Sequence, residues 1–464
     1  MNFSVHDEVI KRQLCERCLM IDVSDISVPE KWEWFPESRF GLFIHWGPYA
    51  MWGRGEQVLG RENIGHREYA EAACRWSPQY YDPRAWADVA CRAGMKYAVL
   101  TTRHHDGFCL WDTAYTDYSS AAQAAGRDLV GEYVQAFRAA GLKVGLYYSV
   151  ADWRIPGFWA GPEGDPEGFE KFRQYVHKQV RELLTKYGRI DVMWFDKTDP
   201  ADAQVWKTAE LVQMMRQLQP HILINQRLGS LPPENEGEAP IKVGDFGNSE
   251  HHLTPHSGML WESCQVATWR LWSYSIGERW RPADVLLDML VDAASKGGNL
   301  LLNVGPDGEG RLPPEFVERA EAIGKWLEVH GEAIYGSEGG GVCEFITRGH
   351  QIIKGNNLYL VLRFWDRRSE LRLAGLATPV QRASLLTTGE ALDFEQDENE
   401  LTLKGLPAEQ PTPLFPVIKL ECAARPQPCP WVGSGGYFGV REHALEAARK
   451  RGTSVYADGE ERPD

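Results

Sequence analysis

Short apolar runs that end in polar or aromatic residues recur through the first two thirds of the chain. They lie at 39–45, 96–102, 143–149, 190–196, 221–226, 259–262 and 299–304. Near-continuous apolar strands are typical of a parallel sheet buried on both faces, because a solvent-facing side would show as polar alternation. The pattern therefore predicts seven strands of one parallel sheet.

Helical stretches separate these runs. We predict helices over 83–93, 129–140 and 167–187, each followed directly by a glycine. A glycine just past the last turn is the usual C-terminal stop of a helix. Seven or eight strand–helix units favour a (β/α)8-type barrel over a doubly wound dinucleotide-binding sheet, and no glycine-rich phosphate loop follows the first strand.

The pattern changes after residue 336. Short strand candidates separated by turn residues then predict a smaller C-terminal antiparallel β-sandwich. They lie at 345–349, 351–353, 358–365, 370–373, 383–386, 401–403 and 417–421. We therefore divide the chain into a catalytic barrel at 1–336, a β-sandwich at 337–425 and a peripheral tail at 426–464.

Composition and charge narrow the class of protein. The 464 residues carry a net charge of −15, which disfavours binding to nucleic-acid phosphates. No apolar run approaches the roughly 18 residues of a membrane span. The 18 tryptophans suit flat apolar surfaces, such as sugar-binding clefts or large cores. The first residues show neither the basic nor the apolar stretch of a secretory signal, so we expect a cytoplasmic location.

Active-site residues of such barrels lie at the C-terminal ends of the strands. The polar and aromatic residues at the predicted strand ends form a convergent set that suits a ring with hydroxyl groups. The set is His45, Trp46, His104, His105, Asp106, Tyr147, Tyr148, Trp194, Asp196, Asn225, Arg227, Asp245, Glu250 and Glu262.

Glycoside cleavage by two carboxylates is one chemistry that this set permits. Asp196 ends an apolar strand beside Trp194 and suits a nucleophile, although an aspartate there also serves as a helix N-cap. Glu250 lies in a polar loop and suits the acid/base, although position alone favours a solvated loop glutamate over a catalytic one.

Metal-assisted hydrolysis is the second chemistry. Its ligands would be His45, His104, His105 and Asp196. Neighbouring residues on a strand point to opposite faces, so the adjacent histidines favour hydrogen bonding over shared ligation of one metal ion.

Seven segments in this order resemble glycoside hydrolase family 29, the α-L-fucosidases, and together they run from about residue 32 to 336. The 100–113 segment is the most specific. The segments are FGLFIHWGPY at 40–49, LTTRHHDGFCLWDT at 100–113, RDLVG at 127–131, GLYYS at 145–149, DVMWFD at 191–196, WESC at 261–264 and SKGGNLLLNVGP at 295–306.

The resemblance implies exo-acting hydrolysis of terminal α-L-fucose with retention, through a covalent fucosyl-enzyme on Asp196. Glu250, five residues after Asp245, is the implied acid/base, with Glu262 as a rival that supports the site instead. No metal or organic cofactor is implied. The implied fucose-binding residues are His45, Glu56, His104, His105, Tyr147, Trp194, Arg227 and Trp272.

Two departures from the family leave an alternative open. Gln57 stands where the family commonly has tryptophan, and Lys197 stands where it has glycine. They motivate a fucose-binding protein without catalysis, although the retained carboxylate pair argues for an enzyme. We expect a fucosylated oligosaccharide or glycoconjugate as partner, with no nucleic acid and no membrane, and leave open a homo-oligomer.

Overall fold

The computed structural model describes residues 28–429 except 197–202, 232–240, 257, 344–347 and 399. Within it the chain divides into two compact units. Residues 28–293 and 298–331 form one, and residues 294–297 and 332–429 form the other. The predicted tail from residue 430 onwards, and Lys197, lie outside the described residues.

A sheet of eight parallel strands forms the centre of the first unit in the described ranges. Its order is β5-β4-β3-β2-β1-β10-β9-β8. Its strands are β1 (Phe40–Ile44), β2 (Tyr97–Arg103), β3 (Lys143–Ser149), β4 (Val192–Asp196), β5 (Leu223–Ile224), β8 (Phe246–Glu250), β9 (Leu260–Val266) and β10 (Asn299–Val304); β6 (Ser230–Leu231) and β7 (Ile241–Lys242) form a separate two-stranded sheet.

Backbone contacts between the two ends of this sheet nearly close it into a barrel. Asn225 and Phe246 form a parallel bridge, Asp245 N–H donates to the Ile224 carbonyl at 2.7 Å, and Gln226 N–H donates to the Phe246 carbonyl at 3.0 Å. The barrel prediction is confirmed.

Helices surround the strands as the sequence predicts. The helix before β2 begins at the N-cap Asp82, whose side chain accepts from two backbone N–H groups, and ends before Gly94 with φ +81°. The helices are α1 (Trp34–Ser38), α2 (Val58–Arg61), α3 (His66–Arg75), α4 (Pro83–Arg92), α5 (Leu129–Ala139), α6 (Pro156–Gly164), α7 (Pro166–Lys186), α8 (Thr208–Leu218), α9 (Ala283–Ser295) and α10 (Pro314–Ile334). In the part of the chain described, no helix has the length and apolar character to cross a membrane.

Aromatic side chains fill the interior of the barrel. Phe35 packs below Tyr97 and Phe246, with ring centroids 5.7 and 4.8 Å away. Towards the other end, Phe43 and Tyr147 lie 5.0 and 5.5 Å from Trp194. These three rings close the barrel interior and form a floor on which a site rests.

The second unit carries the smaller antiparallel sheet that the sequence predicts, and its seven described strands are continuous by hydrogen bonding. Its core is dominated by leucines from alternate positions, including Leu358, Leu373 and Leu403. The strands are β11 (Gly349–Lys354), β12 (Asn357–Leu362), β13 (Glu370–Ala374), β14 (Val380–Leu385), β15 (Ala391–Gln396), β16 (Glu400–Lys404) and β17 (Val417–Cys422).

The structure corrects the predicted strands in several places. β8 and β15 were absent from the prediction, because Phe246–Glu250 reads FGNSE and Ala391–Gln396 alternates with charged residues. β9 continues to Val266, four residues beyond the predicted end at 262. The predicted strand at 345–349 lies mostly outside the described residues.

Candidate active site

A cavity of about 440 Å³ opens at the C-terminal ends of the barrel strands, within the usual size range of small-molecule sites. All ten residues to which the family resemblance gives a catalytic or fucose-binding role line it: His45, Glu56, His104, His105, Tyr147, Trp194, Asp196, Arg227, Glu250 and Trp272. Six further residues line it. Sequence reasoning missed Phe43, Gln226, Gly229, Ser230 and Cys264, and it named Gln57 only as a departure from the family.

Asp196, the last residue of β4, has both carboxylate oxygens engaged. Tyr147 donates its hydroxyl to Oδ2 at 2.9 Å, and Arg227 donates to Oδ1 at 2.8 Å. Burial raises the pKa of Asp196, but the charges of Arg227 and His105 and the Tyr147 hydrogen bond outweigh it and leave this pKa below its ordinary value. The side chain is therefore an anion at neutral pH.

Arg227 connects the two candidate catalytic carboxylates. Its second terminal nitrogen donates to Oε2 of Glu250 at 2.7 Å, while its guanidinium lies 4.8 Å from the centroid of Trp194. Glu250 ends β8, and its side chain is 38% exposed against 18% for Asp196. One carboxylate is thus fixed inside the cavity, and the other lies at its open side within reach of solvent.

His45 follows β1 and is held in one tautomer. Its Nδ1 donates to Oδ1 of Asn303 at 2.6 Å, and Nδ2 of Asn303 donates to the Trp272 carbonyl at 2.6 Å, which fixes the amide orientation. Burial lowers the pKa of His45 to about 3, so the ring is neutral. Its Nε2 consequently offers a lone pair that accepts from a ligand hydroxyl.

His104 and His105 lie just past the end of β2, with ring centroids 4.0 Å apart. Both rings reach the cavity, because the two residues lie beyond the last residue of β2, where the side-chain alternation of a strand no longer applies. His105 Nδ1 bonds Ser149 at 2.7 Å, and burial holds the pKa of His104 well below its ordinary value.

Glu56 anchors the loop that carries Trp272. Its Oε2 accepts from the backbone N–H groups of Trp272 and Ser273 at 3.1 and 3.2 Å. Its Oε1 is buried and, among the described residues, has no hydrogen-bond partner. The Trp272 ring lies 5.1 Å from the His45 ring. A buried carboxylate oxygen and an aromatic ring therefore line the same pocket, a combination that suits a hydroxylated ring.

Comparison with known proteins identifies the family. The sequence profile of the α-L-fucosidase family matches residues 21–332, more than half of the chain. The chain belongs to the α-L-fucosidases of glycoside hydrolase family 29. It is a glycoside hydrolase.

Individual relatives and solved structures are similar to this chain over most of their own length. The tissue alpha-L-fucosidase of Rattus norvegicus is 29% identical over 414 residues, which cover 83% of this chain and 87% of the relative. Alpha-L-fucosidase isoenzyme 1 from Paenibacillus thiaminolyticus is 38% identical with a TM-score of 0.77, covering 85% of this chain and 99% of that one. A family-29 fucosidase from Bacteroides thetaiotaomicron, trapped as a covalent intermediate with 2-fluoro-fucosyl fluoride, is 30% identical with a TM-score of 0.79, covering 86% and 97%.

Glu262 of this family-29 chain lies inside the barrel below the cavity. It is fully buried and accepts hydrogen bonds from Tyr97 at 2.7 Å, Trp194 at 2.8 Å and Asn248 at 3.0 Å. Burial raises its pKa to about 7. The sequence placed Glu262 at a strand end, but β9 continues past it, so its side chain supports Trp194 instead of facing the cavity.

Five other strand-end candidates of the α-L-fucosidase fold do not line the cavity either. Each is occupied by contacts elsewhere: Asp106 accepts from Tyr69 at 2.7 Å, and Tyr148 donates to Gln179 at 2.8 Å. Asp245 accepts from Ile224 N–H at 2.8 Å and pairs with Arg216. The five are Trp46, Asp106, Tyr148, Asn225 and Asp245.

The hypothesis of metal-assisted hydrolysis depends on the histidines of the cavity acting as metal ligands. Within the described ranges, no group of three or more His, Cys, Asp or Glu side chains is placed to hold a metal ion. His45 and His105 instead use Nδ1 in hydrogen bonds to Asn303 and Ser149. The α-L-fucosidase assignment therefore rests on the family match and on a hydrogen-bonding pocket.

Proposed function

We propose that this protein is an exo-acting retaining α-L-fucosidase that removes terminal α-L-fucose from glycoconjugates, with Asp196 as nucleophile and Glu250 as acid/base. One observation carries the proposal: a single guanidinium, that of Arg227, binds both carboxylates. This arrangement keeps two carboxyl groups close together across one sugar, as a double displacement needs.

In the first step, Oδ of Asp196 attacks the anomeric carbon while the glycosidic C–O bond breaks. Glu250 gives its proton to the departing glycan oxygen and becomes a carboxylate. In the second step, Glu250 takes a proton from water, whose oxygen attacks the same carbon and breaks the ester bond to Asp196. Two inversions give net retention, so the first product is α-L-fucose.

The neighbouring side chains suit these steps. The lowered pKa of Asp196 keeps the nucleophile ionised, and the more exposed position of Glu250 admits water. His45 Nε2 and Glu56 Oε1 supply acceptors for sugar hydroxyls, and Trp272 supplies an apolar face for the C5 methyl group. The covalent intermediate trapped in the Bacteroides relative supports the same course here.

The test compares wild type with Asp196→Asn on an aryl α-L-fucoside. We expect the variant to lose at least about a thousandfold in kcat without loss of folding. Asp117→Asn, at an exposed aspartate outside the cavity, is the matched control. NMR of the first-formed sugar gives the anomer, and 2-deoxy-2-fluoro-fucosyl fluoride should add one sugar mass to wild type alone.

Two results would contradict the proposal. Release of the β-anomer first would exclude retention, and near-wild-type turnover by Asp196→Asn would exclude the nucleophile. Binding of free fucose by wild type without turnover of any fucoside would favour the fucose-binding alternative.

A further inference from the structure

Two tryptophans form an aromatic ledge beside the cavity, defined here as the half-buried Trp153 and the exposed Trp159. Their ring centroids lie 6.4 Å apart with planes inclined by 34°. Trp159 is 62% exposed, although an indole of this size is usually covered in a folded protein. The ledge therefore presents apolar ring surface to solvent on the face that carries the site.

The ledge is continuous with the cavity through His105. The ring of Trp153 lies 5.3 Å from that of His105, and Trp153 N–H donates to the His105 carbonyl at 2.8 Å. Nε2 of His105 is 3.7 Å from Oδ2 of Asp196. These contacts place the ledge at the rim of the cavity that His105 lines. An exo-acting enzyme encloses only the terminal fucose, so the rest of the glycan lies outside the cavity, where surface at the rim can contact it.

The ledge is rigid before any ligand arrives. Nε1 of Trp159 donates to the Trp153 carbonyl at 3.0 Å, so the polar edge of the indole is satisfied and its face is left for contact. Phe158 is buried and packs edge-on against Trp159 at 5.2 Å. A Cβ added at Gly60 would lie 3.1 Å from the Trp153 ring, which therefore packs directly on backbone. Such preorganisation lowers the entropy lost on binding.

The charges beside the ledge favour a neutral occupant. Arg154 follows Trp153, but it donates to both oxygens of Asp152, at 3.1 and 2.7 Å, so its charge is already compensated. An indole face contacts the C–H face of a sugar through apolar surface, and this contact needs no charge.

We propose that the aromatic ledge is a subsite for a neutral sugar ring of the glycan that carries the fucose. The proposal rests on the proposed function, because that function places the terminal fucose in the cavity and the rest of the glycan outside it. The ledge then contributes to recognition of the leaving glycan and contributes nothing to a substrate that has no ring beyond fucose.

The experiment uses two kinds of substrate with wild type and Trp159→Ala. α-L-Fucosyl fluoride has no leaving-group ring. The oligosaccharides are 2′-fucosyllactose, 3-fucosyllactose and the α1,4- and α1,6-linked fucosyl-N-acetylglucosamines. For the oligosaccharides that wild type cleaves, we expect Trp159→Ala to lower kcat/KM about three- to tenfold, chiefly through KM, with fucosyl fluoride unchanged. Trp159→Tyr should restore most of the loss.

Trp269→Ala is the matched control, because Trp269 is 51% exposed but packs its ring on Arg281, on a different loop. Equal loss on both substrate kinds, no loss on either, or the same loss in Trp269→Ala would overturn the ledge proposal alone. Wild type that cleaves fucosyl fluoride but none of the oligosaccharides would also overturn it. Wild type that cleaves no fucoside at all would overturn the proposed function, and the ledge proposal with it.

Discussion

Asn303 determines which nitrogen of His45 faces the cavity, because its Oδ1 accepts from Nδ1 at 2.6 Å. The amide cannot turn over without losing the hydrogen bond that Nδ2 donates to the Trp272 carbonyl. A residue that does not line the cavity thus fixes the hydrogen-bonding character of one that does. Sequence reasoning missed Asn303, although a polar residue directly after three leucines in β10 was a visible signal.

Asn303→Asp should make activity sensitive to acid. The new carboxylate would raise the pKa of His45 from about 3, so His45 would take up a proton as the pH falls and lose its acceptor lone pair. We expect the acid limb of kcat/KM on an aryl α-L-fucoside to move to higher pH. Asn356→Asp, at an exposed position in the second unit, should leave the profile unchanged. An unmoved acid limb in Asn303→Asp would contradict this role.

Arg227→Met should also move the acid limb of the pH profile of kcat/KM to higher pH, but through the pKa of Asp196. Removal of the guanidinium takes away the largest of the effects that oppose the burial of Asp196, so the pKa of that carboxyl rises and a larger fraction is protonated at low pH. We expect kcat/KM to fall about 10- to 100-fold at neutral pH from the loss of two charged hydrogen bonds. Arg189→Met, which breaks a pair with Asp191 outside the cavity, is the control. An Arg227→Met variant with a wild-type acid limb would refute the electrostatic role.

The loss of activity in Glu250→Gln should depend on the leaving group of the substrate. A glycan oxygen needs a proton to depart, whereas fluoride needs much less help. We expect kcat/KM for a fucosylated oligosaccharide to fall about 100-fold or more, and that for fucosyl fluoride to fall far less. Glu262→Gln tests Glu262 as the rival acid/base. This variant should change kcat/KM by the same factor for both substrates, because Glu262 is buried under Trp194. The reverse pattern would transfer the acid/base role to Glu262.

Glu262 should instead affect stability. Burial raises its folded pKa to about 7, above the ordinary glutamate value of 4.5. Its stabilising contribution is therefore complete below pH of about 4.5 and is lost as the pH rises through about 7. Glutamine mimics the protonated acid at every pH. The melting temperature of Glu262→Gln minus that of wild type should therefore increase as the pH is raised from 5 to 8. A difference in Tm that stays constant with pH would show that Glu262 is not protonated in the folded protein.

The amino-acid sequence by itself determined the barrel and most of the residues around its cavity. Apolar runs such as Lys143–Ser149 and Asn299–Val304 form strands with the predicted bounds, because only a strand buried on both faces tolerates such a composition. The residue at the end of such a strand must emerge at one face of the barrel. From this topology and the family motifs, the sequence predicts that Asp196, His45 and Tyr147 lie in one site.

Tertiary structure showed the physical reason why Glu250, which the family resemblance favours over Glu262, faces the cavity. Phe246–Glu250 has no apolar pattern of its own and becomes a strand by pairing with β9, and this pairing puts Glu250 at the rim. The same pairing extends β9 beyond Glu262 and leaves that side chain inside the barrel, hydrogen-bonded to Trp194. Pairing between strands distant in sequence depends on backbone partners, which local composition does not encode. The ledge of Trp153 and Trp159 was hidden for the same reason, since exposure and ring contacts arise only when the loops pack together.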